Sequence, residues 1–307
     1  MKMIAFFIKE TEMKTEKWIN NNTESLKGKR VAMTGSTGGI GKELSDYLAN
    51  LGAELILLDR NEKRSLENKE RLMMKYPDAS VSCITLDLED IEKVKSVTEK
   101  LLDMDIDIFL HNAGAYSIPR KICTSGYDNV FQINFVSPYY MIRTLLPLLS
   151  KKEGRVIVVG SIAHNYSHID ENDVDFRKRE ASSKVYGNAK RYLMYSLYEL
   201  FENECHAHLS VTHPGITFTN ITAHYPKLIF AIIKHPMKVI FMKPGTAALS
   251  ILKGFFEDTG YHEWIGPRFF DVWGLPKKKK LKTVSAEESE RIASISNEIY
   301  SSLKKTY

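Results

Sequence analysis

The stretch "RVAMTGSTGGIGKEL", residues 30–44, passes from a short apolar run through a glycine-rich turn into an apolar-periodic segment. Gly35, Gly39 and Gly41 fall between the strand and the helix that this pattern predicts. Glycines there permit a tight turn and let the backbone approach a pyrophosphate, which the free N–H groups of the helix start then bind. Alone the turn is a weak signal; directly after the first strand of an alternating α/β chain it reads as a dinucleotide-binding turn.

The alternation continues outward from it. "ELILLD", "VSCITLD", "IDIFLHN", "RVIVVGS" and "HLSVTHPG" read as strands, and residues 40–51, 62–76, 90–102, 127–150 and 184–204 as the helices around them. Such a chain makes a doubly wound parallel sheet with helices on both faces, whose ligand crevice lies at the carboxyl ends of the strands. After Gly215 the rhythm changes: residues 216–243 are apolar and aromatic but broken by Pro226 and Pro236, and read as a substrate lid. A helix over about 245–257, a short strand near "EWIG" and an amphipathic helix over about 285–304 follow. With no internal repeat or low-complexity linker, a single domain over 28–270 is expected, preceded by an N-terminal arm (1–27) that reads as loose at 3–8 and followed by a basic loop and helix (271–307).

Composition excludes several classes. At 43% hydrophobic and 26% charged, the 307 residues are ordinary soluble-globular material. The net charge of +5 is partly the local run Lys277 to Lys280, which reads as a solvated loop, and makes no case for nucleic acid. Cys83, Cys123 and Cys205 have no spacing suited to zinc or to a disulfide framework, so no metal is expected and a reducing, cytoplasmic setting is. The apolar "MIAFFI" at 3–8 is too short for a signal-peptide core, and translation from Met13 is an alternative start. No window is long enough for a membrane span.

Chemistry is expected just after the strands. The second strand ends in Asp59, where a carboxylate would hydrogen-bond an adenosine ribose and repel a 2′-phosphate, favouring NAD. Arg60 beside it argues for NADP, and Gly38, in place of a cation, offers no second phosphate ligand; NAD is favoured with NADP as the alternative. Asp87 after the third strand is a cofactor contact or a helix cap. Asn112, Ala113 and Gly114 follow the fourth, the small pair suiting close passage of a cofactor.

With TGSTGGIG at 34–41, Asp87, HNAG at 111–114, Asn134 in "FQINFVSP", Ser161 in "VVGSIAH", Tyr186 and Lys190 in "YGNAK", and "HPGIT" at 213–217, the chain resembles the short-chain dehydrogenase/reductase family over about 28–270. The resemblance implies a Rossmann-type fold and an NAD(P)-dependent oxidoreductase acting on an alcohol or carbonyl. It implies catalytic roles for Asn134, Ser161, Tyr186 and Lys190, and cofactor contacts from Gly35, Ser36, Thr37, Gly39, Ile40, Gly41, Asp59, Arg60, Asp87, Leu88, Asn112, Ala113, Gly114, Tyr186, Lys190, Pro214, Gly215, Ile216 and Thr217. Tyr186 would be the acid or base, with Lys190 favouring its ionised form and holding the nicotinamide ribose. Ser161 would position the substrate oxygen, and Asn134 a water leading to Lys190. Homo-oligomerisation through the helices at 127–150 and 184–204 is a further implication.

The long connection between Ser161 and Tyr186, opening with Ala163-His164, is similar to that of the retinol-dehydrogenase-like branch. His111 departs from the family's usual asparagine, and His164 and His168 read as loop histidines rather than metal ligands. The lid segment 227–242 reads as the wall of an apolar pocket, or, with Lys227, Lys234 and Lys238, as a peripheral membrane contact. Either favours a lipophilic substrate such as a steroid, retinoid or long-chain compound. The rivals are a non-catalytic nucleotide sensor or scaffold and a nucleotide-sugar epimerase; the joint presence of Asn134, Ser161, Tyr186 and Lys190 opposes the first.

Overall fold

The computed structural model describes residues 13–203, 206–217, 242–281 and 284–305. The expected lid, with Lys227, Lys234 and Lys238, lies almost wholly outside the described residues, as do Cys205 and the apolar segment at 3–8.

Strands and helices alternate as the hydrophobic pattern dictates: β1 (Arg30–Thr34), α1 (Gly39–Asn50), β2 (Glu54–Asp59), α2 (Glu62–Lys75), β3 (Val81–Thr85), α3 (Ile91–Asp103) and β4 (Ile108–His111). A continuous rod follows, from Asn129–Phe131 through a π-turn at Gln132–Val136 into α4 (Ser137–Lys151). Next come β5 (Arg155–Val159), a 3-10 turn (Ile162–Tyr166), α5 (Ser182–Asn203), β6 (His208–Thr212), α6 (Pro244–Lys253), β7 (Glu263–Phe269), β8 (Trp273–Lys280) and α7 (Ala286–Lys305). The sheet order is β3-β2-β1-β4-β5-β6-β7-β8, parallel throughout except for the antiparallel β7–β8 hairpin. The winding reverses between β1 and β4, which opens the crevice at the carboxyl ends of the strands.

Strand periodicity divides the core into two layers. Val31, Met33, Leu55, Leu57, Ile108, Leu110, Ile157 and Val159 face α1 and α6. Ala32, Ile56, Leu58, Phe109, Val156 and Val158 face the aromatic layer of Phe131, Phe135, Tyr139 and Tyr192. Each such fully buried aliphatic or aromatic side chain is worth roughly 1.5–3 kcal/mol relative to exposure. Local signals start the helices: Asn61 caps α2 by accepting the Arg64 amide at 2.9 Å, and Asp90 caps α3 by accepting those of Glu92 and Lys93 at 3.1 Å.

The N-terminal arm is helical over residues 13–22, and Trp18 and Leu26 are buried against the α1 layer. Two expectations, the loop at 277–280 and the boundary at 270/271, need correction. The lysine run at 277–280 is strand, pairing with β7 from Gly266 to Glu263. Its cationic side chains and Pro276 sit on an edge strand, where they discourage pairing with another chain. A boundary at 270/271 consequently falls inside the hairpin. α7 packs along α4, one of the helices expected to self-associate: Asn297 accepts from the Tyr139 hydroxyl at 2.9 Å, and Tyr300 meets the hydroxyl of Thr144 at 3.3 Å and the ring of Tyr140 at 5.6 Å. Among the described residues no helix is long and apolar enough to cross a membrane.

Candidate active site

The glycine turn packs against the end of β4. Gly35 has φ of 74°, and a Cβ there would lie 2.9 Å from Ala113 Cα; one on Gly41 would sit 2.0 Å from the Gly35 carbonyl. Only glycine fits either position. Asn112 donates to the carbonyls of Gly35 (2.9 Å) and Thr34 (3.3 Å), tying HNAG to the turn. The Thr34 hydroxyl accepts the amides of Asn112 and Ala113 at 3.1 and 3.0 Å, so its proton goes to His111 Nδ1, 3.1 Å away. That places the imidazole proton of His111 on Nε2. Burial holds His111 well below the usual histidine range.

α1 begins at Gly39 with Gly38 as a cap that has no side-chain bond, and there is no acidic residue in its first turn. An open, uncharged helix start behind a glycine turn fits a pyrophosphate. Ile40 packs on the α1 core layer.

Asp59 and Ser36 depart from the expected ligand contacts. Both are buried, and the Ser36 hydroxyl donates to Asp59 Oδ2 at 2.6 Å. Ser65 donates to the same oxygen at 2.9 Å, while the amide and hydroxyl of Thr37 reach Oδ1 at 3.2 and 3.3 Å. The carboxylate pins the glycine turn to β2 and α2, and its oxygens are spent there. Arg60 is exposed at the mouth of the crevice and has no ion pair among the described residues.

Asp87 is not the helix cap, a task taken by Asp90; its Oδ1 accepts the Glu89 amide at 3.0 Å. Leu88 is buried, its carbonyl accepting from the Ser137 hydroxyl at 2.6 Å and the Gln132 amide group at 3.2 Å. After β6, Gly215 takes φ of 79° against Val272 and Pro267, Ile216 is partly exposed, and Thr217 bridges to Met242. Pro214 is buried in the same turn.

Four polar side chains meet at the ends of β4 and β5. Ser161 lies just beyond β5, after Gly160. Burial pushes the Tyr186 phenol up to about 12, and the nearby Ser161 hydroxyl opposes that rise. Lys190 is 1% exposed, donates to the Val159 carbonyl at 2.8 Å and lies 5.6 Å from the Tyr186 ring centre. Desolvation alone lowers its ammonium to about 7. Asn134, in the π-turn, clasps the main chain of Ala115 and donates to the Val130 carbonyl at 2.8 Å. A Cβ on Gly114 would be 2.9 Å from Asn134 Oδ1 and 3.7 Å from Lys190 Nζ, so the two polar groups face each other across that glycine.

Supporting residues lie outside the expected set. Gly187 is required because a Cβ there would come within 2.2 Å of the Ala163 carbonyl, in the turn that carries Ser161. His164 is no loop histidine: it is fully buried, and its Nδ1 lies 2.6 Å from the Ser161 carbonyl. Burial lowers it to about 4, so it is neutral and donates from Nδ1. Tyr116 meets the Tyr186 ring edge-on at 5.4 Å. No described group of His, Cys, Asp and Glu could hold a metal.

Fold and site together define a nucleotide-binding α/β protein with a serine, tyrosine and lysine at the switch of a doubly wound sheet. The short chain dehydrogenase family profile matches residues 29–172. Short-chain dehydrogenase TIC 32 A, chloroplastic, of Brassica napus is 30% identical over 222 residues, spanning 66% of this chain and 68% of the relative. Retinol dehydrogenase 12 of Mus musculus is 28% identical over 207 residues, 64% of each chain. Among solved structures, an uncharacterised protein from Mycobacterium paratuberculosis matches with a TM-score of 0.72 at 20% identity, over 92% of this chain and 96% of that one. The Pseudomonas aeruginosa RhlG/NADP active-site complex matches at 0.56 with 25% identity, over 76% and 91%. The chain belongs to the short-chain dehydrogenase/reductase family of oxidoreductases.

Proposed function

We propose that the protein is an NADP(H)-dependent oxidoreductase interconverting a secondary alcohol and a carbonyl on a lipophilic molecule. The observation that carries this reading is the meeting of Ser161, Tyr186 and a buried Lys190 at the crevice. The nicotinamide, when bound, supplies or accepts the hydride. Ser161 orients the substrate oxygen, and Tyr186 delivers its proton to that oxygen or removes it. Lys190 holds the cofactor ribose and, once protonated there, draws the phenol down toward the working range. Asn134 stands across Gly114 from Lys190, where a bound water links the lysine to solvent.

For the cofactor, the internal bonds of Asp59 and the exposed guanidinium of Arg60 favour a 2′-phosphate, which reverses the preference drawn from residue types alone. Solved relatives in complex with NADP and NADPH are consistent with that choice. The apolar composition of 216–243 and the likeness to retinol dehydrogenase 12 support a lipophilic substrate. The test is a screen of steroid, retinoid and aliphatic carbonyls with NADPH and NADH side by side, followed at the nicotinamide absorbance. Turnover abolished by Tyr186→Phe is expected; undiminished turnover in that variant rejects the assignment.

A further inference from the structure

Arg191 directly follows the site lysine, yet its side chain leaves α5 in a different direction. Neighbouring residues on a helix point about 100° apart, so α5 presents Lys190 to the crevice and Arg191 toward α7. Arg191 is 3% exposed. Its Nε and Nη2 donate to the two carboxylate oxygens of Glu288, on α7, at 2.8 and 2.7 Å. Its Nη1 donates to the His164 carbonyl at 2.9 Å. A guanidinium fork held on one side by a carboxylate is a rigid donor on the other.

The His164 carbonyl belongs to the turn that follows Ser161. In that turn the amide and Nδ1 of His164 reach the Ser161 carbonyl at 3.2 and 2.6 Å, and the Ala163 amide reaches the Ser161 hydroxyl at 3.2 Å. Trp264 packs edge-on against the His164 ring at 5.6 Å. An unbroken series of hydrogen bonds therefore runs from Glu288 through Arg191 and His164 to Ser161, whose hydroxyl neighbours the Tyr186 phenol. A further ion pair of α7, Arg291 with Glu171, joins two largely exposed side chains.

We propose that α7 is a working part of the active site: Glu288, acting through Arg191, fixes the turn that presents the Ser161 hydroxyl, and both are positioning residues. This rests on the oxidoreductase reading for its effect on turnover, but its structural half does not.

Two measurements test it. The first needs no substrate: hydrogen exchange followed by mass spectrometry on the full chain. Glu288→Gln sets an amide N–H against the guanidinium donors, and peptides spanning 162–166 are expected to exchange about tenfold faster as the turn opens locally. Glu171→Gln is expected to leave them unchanged. Unchanged exchange at 162–166 in Glu288→Gln overturns the proposal. If that variant also frees α7, seen as fast exchange over 286–305, Arg191→Lys decides: it keeps a cation for Glu288 without the second arm for His164, and an unchanged turn in it overturns the proposal.

The second is a cycle on turnover. Glu288→Gln is expected to lower kcat by about 10- to 100-fold, the scale of a misplaced reacting group, with the KM for cofactor unchanged. The pH limb assigned to Tyr186 moves upward, because the Ser161 hydroxyl that opposes the phenol's rise is displaced. In a Ser161→Ala background the same substitution is expected to cost nothing more; a further full loss there overturns the proposal. Tyr186→Phe run alongside separates the cases: if it leaves turnover intact, the catalytic reading fails while the exchange result still stands.

Discussion

The Lys190 ammonium donates to the Val159 carbonyl across 2.8 Å at the end of β5, inside a site that lowers its pKa to about 7. A fully buried lysine whose proton is held that weakly costs the fold stability. The unfolded chain keeps the proton to about 10.5 and the folded chain releases it near 7, so stability rises with pH between those values. Lys190→Met is expected to abolish turnover and yet raise stability at pH 7 by about 2 kcal/mol, a fraction of the buried shift. The rise in Tm between pH 7 and 10 should flatten in the variant. Thermal unfolding across pH checks both, and a variant less stable than the parent refutes the argument.

Cofactor choice separates Asp59 from Arg60. Arg60→Ala is expected to raise the KM for NADPH about tenfold or more, the loss of one charge-assisted contact, and to leave that for NADH nearly unchanged. Asp59→Ala removes the acceptor of Ser36, Ser65 and Thr37, so it should lower Tm by several degrees rather than improve NADPH use. Steady-state kinetics with both cofactors, beside a melting curve, distinguish these outcomes; a stable Asp59→Ala with better NADPH use contradicts the pinning role.

Acid should unfold this protein early. His164 and His213 are lowered by burial to about 4 and about 3, and His111 lies well below its usual range. Below 6.5 the unfolded chain takes up protons that these folded imidazoles refuse, so stability falls as pH drops toward 4, by up to about 1.4 kcal/mol per pH unit for each. His111→Asn keeps a partner for Thr34 while removing one such group, and should make the decline between pH 6 and 4 shallower. An unaltered slope in urea titrations at those pH values counts against it.

Gly187→Ala should cost about 1–3 kcal/mol by overpacking, since the added methyl meets the Ala163 carbonyl and the Ser167 hydroxyl. Turnover should fall further than stability, with NADPH binding kept, because the collision is with the Ser161 turn and not with the glycine turn. Fluorescence titration with NADPH beside a kinetic assay reads the difference. Equal loss of both functions places Gly187 in the general fold instead.

Much of this was legible in residue types and spacing. The first six strands, the glycine turn behind β1 and the addresses of Ser161, Tyr186 and Lys190 follow from alternation and from where motifs fall relative to strand ends. What was not legible is where side-chain atoms point. Asp59 occupies the ribose-reading position, but hydroxyls from the glycine turn and from α2 claim its oxygens, and no spacing rule announces Ser65. His164 looks like any loop histidine until Trp264 and the Ser161 carbonyl enclose it. Four lysines in a row suggest a loop because pairing with β7 leaves no trace in a one-letter pattern. Arg191 carries no local signal, since its partner is 97 residues away.

The same distance has a kinetic meaning. The contact between Arg191 and Glu288 spans 97 residues, and that between Tyr139 and Asn297 spans 158, so α7 docks only after the chain has closed very long loops. Contacts of such range form late in folding. During refolding, helical content and the buried β1–β4 sheet should return before the Ser161 turn is ordered, and the recovery of turnover should lag behind the recovery of circular dichroism. The last assembly step of this molecule then completes its site together with the α7 edge of its core, through Ile292, Ile299 and Leu303.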